Sequence, residues 1–371
     1  MLPYTGDYTE HIDPEKPSLT FYSFTPRPLM RGDMYQMDDE LAALLTEAHR
    51  NIGFLEGLVT YAPNKEAFAE LMLLKECTYS HMIDYDGPDF KEVLTIRGTG
   101  KGDITPITNL EMAYKAAKSM EVAAPDLSRI CGIALNGDPE NNSIDVRDYQ
   151  TFWLGVKTNL KGYNPTAPDA VLPALADISA YLYNDHNTDP LIKAALVHYQ
   201  FEMIHPFERY NGIVGRIIVP MVLRDIIGEA MPLICLSEYL YHNKNEYFDL
   251  LRTTQYSGGY IRWIKFFVCA VGEAAKQSAK LLAQYENDIL WAEQQIKENT
   301  LSSKSIWGVY NYLKRYPVSS ISRATEQTRF SFNSISKAMQ SLKETGIVQE
   351  TAEVRNRIWV HKKLIENLWY F

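Results

Sequence analysis

The sequence predicts a mainly α-helical protein: a helical bundle with one small β-hairpin, followed by a C-terminal winged helix-turn-helix domain. Three observations predict this fold. Apolar residues recur at helical spacing in successive segments between Met37 and Asn299. The segment Val146–Pro168 interrupts that spacing with aromatic residues, glycines and a proline-rich end. After Leu301 the pattern changes to three short helical stretches and then two strand-like stretches.

The N-terminal region, residues 1–110, is predicted to be an extended arm followed by helices. Five prolines and little periodicity in residues 1–35 favour an arm wrapped on the body over a separate domain. Helical patterns then cover residues 37–49 and 65–79, with apolar side chains at every third position of the second stretch. We therefore expect the first packed helices of the bundle here.

The central region, residues 111–300, is predicted to be the main helical bundle. It opens within a helical stretch at 109–122, and a loop is predicted at Gly132–Asn142, where glycine, asparagine, aspartate and proline cluster. Beyond the predicted hairpin, helical patterns cover residues 170–183, 189–203, 212–227, 243–256 and 261–299.

The tail, residues 301–371, has a different pattern. Helical stretches are predicted at 305–316, 319–325 and 333–345, and strands at 347–348 and 357–360. Three helices followed by a hairpin is the order of a winged helix-turn-helix. That shape serves DNA binding in some proteins and protein contacts in others, so both interpretations stay open.

Composition excludes several classes of protein. Hydrophobic residues make up 46% and charged residues 22%, which is typical of a globular chain and not of a disordered one. No apolar run reaches the roughly 18 residues of a membrane span, so no membrane partner is expected. Early acidic residues predict no secretory signal, and four widely spaced cysteines suit a reducing compartment. A cytoplasmic protein is the expectation.

The net charge of −9 is unevenly distributed. Residues 301–371 carry +6 and the first 300 residues carry −15, which predicts separate partners for the two parts. DNA is a candidate partner of the tail, through the basic residues Arg323, Arg329, Lys337, Arg355 and Arg357. A basic face packed on the acidic body explains the same charges.

The stretch Ile204–Arg216 carries the candidate chemistry. A helix is expected to end at His205, and a polar loop then leads to Asn211 and Gly212, where the next helix starts. Free N–H groups at a helix start bind phosphate, and Arg216 one turn inside reaches back toward the same point. With His205 as a base, this arrangement suits phosphoryl or nucleotidyl transfer to a hydroxyl. A capping histidine and a plain Asn-Gly turn are the alternative.

This stretch resembles the motif of the Fic family, His-Pro-Phe-x-(Asp/Glu)-Gly-Asn-(Gly/Lys)-Arg-x-x-Arg. The resemblance extends to residues 45–58, 236–247 and 258–263, and similar proteins also end in a winged helix. It implies a Fic-type helical bundle that transfers AMP from ATP to a Ser, Thr or Tyr hydroxyl of a target protein. In that reaction His205 would take the proton of the hydroxyl.

The resemblance also implies roles for other residues. Contacts to phosphate or nucleotide fall to Asn211, Gly212, Arg216, Asn243 and Tyr247. The predicted hairpin, with Trp153 and Tyr163, corresponds to a flap that aligns the target segment. Because Fic proteins often dimerise, a homodimer is a further expectation.

The sequence departs from the Fic motif at three site positions. Arg209 stands where the metal-binding acid belongs, so Mg²⁺ is not expected there. Tyr210 replaces the first loop glycine, and Ile213 replaces the first arginine. Arg209 and Arg216 offer a metal-independent alternative for phosphate binding.

A second family feature is altered as well. Many relatives carry an inhibitory helix, (Ser/Thr)-x-x-x-Glu-(Gly/Asn), and the ungapped match here begins at Ser80 and ends in Asp84 and Tyr85. The position that the resemblance pairs with this acid is Ile213, so that salt bridge cannot form. A solvated carboxylate at a helix end is the plain alternative for Asp84.

Three functions follow from these residues. The first is a protein AMP transferase with weakened or altered activity. The second is an inactive Fic-fold binding or regulatory protein, with DNA at its tail. The third is a transferase that uses another phosphate-containing donor, since Tyr210 and Ile213 reshape the donor pocket. Loss of one charged contact to a developing phosphate charge costs about 3–4 kcal/mol, so efficient ATP chemistry is not expected.

Overall fold

The protein is mainly α-helical, as predicted. The computed structural model describes residues 5–12, 21–32, 34–140, 142–151, 164–228, 233–299, 303–351 and 357–369. The helices in these ranges are α1 (Asp39–Tyr61), α2 (Lys65–Asp84), α3 (Phe90–Thr99), α4 (Thr105–Ala117), α5 (Ala124–Asn136), α6 (Pro168–Asn184), α7 (Pro190–Ile204), α8 (Asn211–Val222), α9 (Arg224–Ile227), α10 (Leu236–His242), α11 (Lys244–Ser257), α12 (Tyr260–Asn299), α13 (Lys304–Arg315), α14 (Ile321–Gln327), α15 (Phe332–Glu344) and α16 (Lys362–Trp369). The strands are β1 (Gly6–His11), β2 (Phe21–Pro26), β3 (Val318–Ser320), β4 (Val348–Glu350) and β5 (Ile358–His361).

The N-terminal arm lies on the body as an antiparallel pair of strands. β1 and β2 pair from Gly6 opposite Pro26 to His11 opposite Phe21, a pairing that the sequence did not predict. The backbone of Phe24 in β2 bonds the segment before α6: its N–H donates to the Asn164 carbonyl at 3.1 Å. The arm therefore covers the approach to α6 and α7.

Two helices buried against their neighbours organise the bundle. α7 buries almost every residue, which places it at the centre and agrees with its lack of a polar face. α1 packs along the first half of the 40-residue α12. Gly272 of α12 allows this close approach, because a Cβ there would lie 2.9 Å from the Ala48 Cβ. The two helices are joined further by Asn51, whose side chain donates to the Gly272 carbonyl at 3.2 Å.

Several predicted boundaries were wrong. Residues 132–136, predicted as a loop, continue α5, which ends before Gly137 with its left-handed φ of 74°. Gly132 is required for packing rather than for a turn, since a Cβ there would lie 2.9 Å from the Asn142 backbone. The stretch predicted as helical to residue 122 ends at Ala117. Residues 152–163 of the predicted hairpin lie outside the described residues, and the described flanks at 146–151 and 164–167 contain no strand.

The tail contains the predicted helices and strands in the predicted order, with two additions. The strand β3 takes the first residues of the second predicted helix, and α16 follows β5. Helices α13, α14 and α15 form a second core with β4, β5 and the end of α12, and the strands join in the order β3-β5-β4, all antiparallel. The designation as a winged helix stays a prediction. Helix α15 presents the exposed side chains of Asn333, Lys337 and Gln340.

The tail is docked on the bundle at several points. Gly98 of α3 lies against β3, where a Cβ would be 1.9 Å from the Val318 carbonyl oxygen. Lys314 of α13 donates to Asn64, directly before α2, at 3.2 Å. Arg315 pairs with Glu70 of α2 at 3.0 Å. The tail therefore holds the first half of α2. In the described ranges no helix has the length and apolarity that crossing a bilayer requires.

Candidate functional site

The junction between α7 and α8 places the candidate base. α7 ends at His205, whose backbone is left-handed (φ 53°, ψ 61°) and whose N–H donates to the Phe201 carbonyl at 3.0 Å. A non-glycine residue rarely adopts this conformation, and such residues concentrate at functional sites. Tyr210 adopts it as well (φ 62°), directly before α8. Both ends of the loop are therefore fixed in uncommon backbone conformations.

Arg147 holds this junction together. Its guanidinium donates to the carbonyls of His205 (2.8 Å), Ile204 (3.1 Å) and Tyr149 (3.0 Å), and also to the Thr166 carbonyl. Its own N–H donates to the Pro206 carbonyl at 3.0 Å. Because Arg147 is only 4% exposed, these carbonyls have taken the place of water around the charge. Sequence reasoning missed this residue, since an arginine within a predicted hairpin carries no sign of where its donors point.

The imidazole of His205 is neutral at neutral pH. Burial and, to a smaller extent, the positive charge of Arg147 lower its pKa to about 4, and Asp84 opposes the shift. A neutral imidazole can accept a proton, which a general base must do. The predicted base therefore has the protonation state that its role requires.

Asn211 and Phe207 brace the loop. The side chain of Asn211 accepts the Phe207 N–H at 2.8 Å and donates to the Phe207 carbonyl at 2.8 Å. Asn211 is 2% exposed and Phe207 is fully buried. The residue predicted to contact phosphate thus shapes the loop with both polar atoms of its side chain.

Arg216 lies one turn inside α8 and is turned toward α2. Its Nε donates to the Ser80 Oγ at 2.8 Å, and its Nη2 donates to the Ser80 carbonyl at 2.8 Å and pairs with the Asp84 Oδ2 at 2.5 Å. Burial alone would lower the pKa of Arg216, but the charge of Asp84 raises it above the ordinary value. The ion pair that the family resemblance implies for Asp84, with position 213, cannot form because that residue is isoleucine. Asp84 is paired instead with Arg216, one turn further along α8, a partner that the sequence did not predict.

The three altered motif positions lie around this ion pair. Ile213 is fully buried in the core, so it contributes only packing. Arg209 is exposed, and its carbonyl accepts a hydrogen bond from the Cys131 thiol at 3.7 Å. Tyr210 packs on Tyr85, with ring centroids 5.2 Å apart and ring planes at 60°.

The residues present do not fit a Mg²⁺ ion. Arg209 occupies the position of the acidic ligand, and the neighbouring Glu208 accepts a hydrogen bond from the Tyr149 hydroxyl. Within the part of the chain that the structure describes, no three His, Cys, Asp or Glu side chains are grouped to hold a metal ion. We therefore assign no metal to the site.

The remaining predicted residues fall into two groups. Tyr247 is 1% exposed and its hydroxyl bonds the His198 Nε2 at 2.8 Å, while Asn243 donates to the Tyr239 carbonyl at 2.8 Å. Both serve packing and helix contacts in this conformation. Trp153 and Tyr163, predicted for the flap, lie outside the described residues.

Glu202 is a second residue that sequence reasoning missed. It lies one turn before His205 and is 4% exposed, and its Oε1 is 3.9 Å from the His198 Nε2. Burial raises the pKa of Glu202 to about 8, against the opposing charge of Arg216. The presence of a single acid within a largely apolar helical stretch was the available signal.

Comparison with known proteins finds a family whose members share the segment around this junction. A model of the Fic/DOC family matches residues 130–223, a range that begins in α5 and ends after α8. Residues 130–223 therefore contain a Fic/DOC domain. The match contains His205, the loop and Arg216, so the Fic domain is the part of the chain that holds the site.

The Fic fold extends beyond the matched range. A Fic family protein from Desulfovibrio desulfuricans G20 superposes with a TM-score of 0.58 at 15% identity, over 89% of this chain and 98% of that one. Curated relatives match shorter segments. "Protein adenylyltransferase fic-1" of Caenorhabditis briggsae is 38% identical over 64 residues, or 16% of this chain and 12% of its own length. A probable protein adenylyltransferase of Aquifex aeolicus is 28% identical over 119 residues, or 29% of this chain and 34% of its own.

Proposed function

We propose that this Fic domain transfers AMP from a nucleotide donor to a hydroxyl group of a target protein, at a rate limited by its altered loop. The observation that carries the proposal is the position of His205, a neutral imidazole held at the end of α7, at the junction that leads into α8. Matched relatives named protein adenylyltransferase support the same chemistry. ATP is the donor that the family resemblance implies.

The transfer needs one base and one positive surface. The acceptor hydroxyl loses its proton to His205 while its oxygen bonds to the first phosphorus of the donor, and the bond from that phosphorus to the next phosphate breaks. The N-terminus of α8 and the exposed Arg209 supply positive charge beside the reacting phosphate. No step depends on a metal ion.

The Asp84–Arg216 ion pair restrains this activity. Arg216 is the cation of α8 that would otherwise approach a donor phosphate, and here it is 1% exposed and bonded to α2. A phosphate can recruit it only by competing with a carboxylate at 2.5 Å. Slow transfer in the resting conformation is the consequence.

Labelling with an α-labelled nucleotide tests the proposal. The purified chain is incubated with α-labelled ATP and, in parallel, with α-labelled ADP, alone and with cell lysate. His205→Ala is compared with the wild type and with the control His242→Ala, an exposed histidine at the end of α10. We expect label from at least one nucleotide with the wild type and the control, and none with His205→Ala. Equal labelling by wild type and His205→Ala, or no labelling from either nucleotide even after the ion pair is broken by Asp84→Asn, would contradict AMP transfer.

We propose nucleic-acid binding as a separate function of the tail. The supporting observation is the exposed polar face of α15, with Asn333, Lys337 and Gln340, following the exposed Arg329. Amide and cationic side chains on one helix face suit base edges and phosphates in the DNA major groove. The tail docks on the bundle through other surfaces, at β3 and α13, so this face is directed away from those contacts.

A further inference from the structure

Two tyrosines that replace small residues of the family patterns meet across the donor loop. Tyr85 ends α2 and Tyr210 precedes α8, and their ring centroids are 5.2 Å apart. His81 continues the row, with its ring centroid 5.3 Å from that of Tyr85. The contact therefore joins the C-terminal end of α2 to the start of α8, beside the Asp84–Arg216 ion pair.

The tyrosines lie beside positive charge. Burial raises the pKa of the Tyr85 phenol, and the backbone of Tyr210 and the charge of Arg209 oppose that rise. The charge of Arg209 also lowers the pKa of the Tyr210 phenol, against the effect of burial. Arg209 and the start of α8 are the positive groups proposed to face the reacting phosphate, so the two rings lie beside the path of the phosphates that follow it.

The other side chains that would hold the outer phosphates are either replaced or already bonded to α2. Ile213 offers an apolar side chain where the family motif has an arginine, and it is fully buried. Arg216 is bonded to Ser80 and Asp84. At Gly212 a Cβ would lie 2.7 Å from the Asp84 Oδ2 and 3.0 Å from the Arg216 Nη1, so the start of α8 is already crowded. Because Arg216 is paired and position 213 is isoleucine, a third phosphate would have no cation of α8 beside it.

We propose that Tyr85 and Tyr210 close the terminal-phosphate end of the donor site, so that the donor is a nucleoside diphosphate rather than a triphosphate. This inference rests on the proposed function. The acceptor oxygen bonds to the first phosphorus, the bond from that phosphorus to the bridging oxygen breaks, and the second phosphate leaves as inorganic phosphate. The proton of the acceptor hydroxyl passes to His205. Atoms and charge balance without another reactant.

Binding of ADP and ATP to the full chain, measured by calorimetry without Mg²⁺, tests the inference. Tyr210→Gly suits the left-handed backbone of that position, and Tyr85→Ala removes the facing ring. We expect the wild type to bind ADP at least as tightly as ATP, and the double variant to shift that ratio about tenfold toward ATP. Tyr85→Phe, which keeps the ring, should give a smaller shift, and Tyr183→Ala, at a side chain that is 80% exposed on α6, should give none.

The inference is overturned if the wild type binds ATP about tenfold more tightly than ADP, or if the double variant keeps the wild-type ratio. Labelling from α-labelled ADP and ATP separates the two proposals. Label from ATP with ADP inert contradicts the diphosphate donor and leaves AMP transfer standing. The expected binding ratio with no label from either nucleotide contradicts AMP transfer and leaves the donor selectivity standing. Binding of neither nucleotide to any variant contradicts both.

Discussion

Arg216 on α8 and Asp84 on α2 form an ion pair of 2.5 Å, with the carboxylate 23% exposed and the guanidinium 1% exposed. Ser80 supports the same guanidinium with its hydroxyl and its carbonyl, one turn earlier on α2. The pair couples the end of one helix to the start of another across the candidate donor site. Charge at the site therefore depends on where α2 lies.

Asp84→Asn should release Arg216 toward the loop. We expect nucleotide affinity and labelling rate to rise about tenfold, since the competing carboxylate charge is gone. Stability should fall, because a buried guanidinium loses its counter-charge. Calorimetry and thermal unfolding measure both, with Asp86→Asn, an exposed neighbour, as the matched control. Unchanged affinity in Asp84→Asn would show that the ion pair does not restrain the site.

The pH dependence of labelling should report His205. Its pKa of about 4 places the loss of the neutral base near pH 4, well below the ordinary value of 6.5. Labelling should therefore stay constant as pH falls from 7 to 5 and decline only near 4. An initial-rate series over that range, with unfolding followed by circular dichroism, measures this. A decline centred near pH 6.5 would contradict the assignment of a buried base.

Replacing Arg147 should affect both stability and the base. Arg147→Met leaves four carbonyls around the junction without their donor, which should cost about 2–4 kcal/mol of unfolding free energy. Removing the positive charge should also raise the pKa of His205 and shift the acid limit of labelling upward. Urea unfolding and the pH series test these effects. Arg129→Met, at an exposed site on α5, is the control and should change neither.

Glu202 should make the fold less stable at alkaline pH. Its pKa is about 8 when folded and ordinary when unfolded, so between pH 4.5 and 8 the unfolded chain holds fewer protons. The contribution of Glu202 to the free energy of unfolding is fully present below pH 4.5 and is lost as pH rises through 8. Glu202→Gln should therefore gain stability relative to the wild type as pH rises from 5 to 9, by a few kcal/mol, since one pKa unit is about 1.4 kcal/mol.

Urea unfolding at pH 5, 7 and 9 measures that difference. The exposed Glu208→Gln serves as control and should follow the wild type at every pH. A Glu202→Gln variant whose difference from the wild type is the same at pH 5 and pH 9 would show that Glu202 ionises normally.

DNA binding by the tail should depend on salt and on α15. We expect the full chain to bind mixed-sequence duplex DNA with an affinity that falls as salt rises, by about 0.9 log units per log unit of salt for each phosphate contact. Arg329→Glu with Lys337→Glu should weaken binding and reduce that slope. Lys115→Glu, on the exposed side of α4, makes a smaller charge change away from the tail and is the control. Fluorescence anisotropy that shows equal losses in the double variant and in the control would contradict a site on α15.

Much of the helical fold was predictable because the apolar spacing of the bundle is regular. The boundaries of α6, α7, α11, α12, α13 and α15 lie within two residues of those predicted. Helix α5 was missed in part because Gly132 is read as a breaker, whereas its missing side chain makes room for a passing backbone. The β1–β2 pairing was missed because the nine residues between the strands include prolines, and further prolines lie around them.

The sequence predicted where along the chain the candidate site lies, but not which contacts its residues make. His205, Asn211 and Arg216 were predicted from the motif, and the structure brings them to one junction. The pairing of Asp84 with Arg216 was not predicted, because the motif pairs this acid with position 213 and Arg216 lies one turn further along the same helix. Arg147 and Glu202 matter because they are buried, and the spacing of residues in the sequence does not show which polar side chains are buried. The target protein, a homodimer and a cytoplasmic location stay predictions.

Helix α2 is held by the tail at one end and carries Asp84 at the other. Lys314 and Arg315 contact its beginning at Asn64 and Glu70, and twenty residues of α-helix span about 30 Å. A rod of that length transmits axial displacement rather than absorbing it. A ligand that moves the tail relative to the bundle therefore alters donor affinity, and a bound donor alters tail affinity by the same factor. The two ends of the protein are linked thermodynamically through one helix.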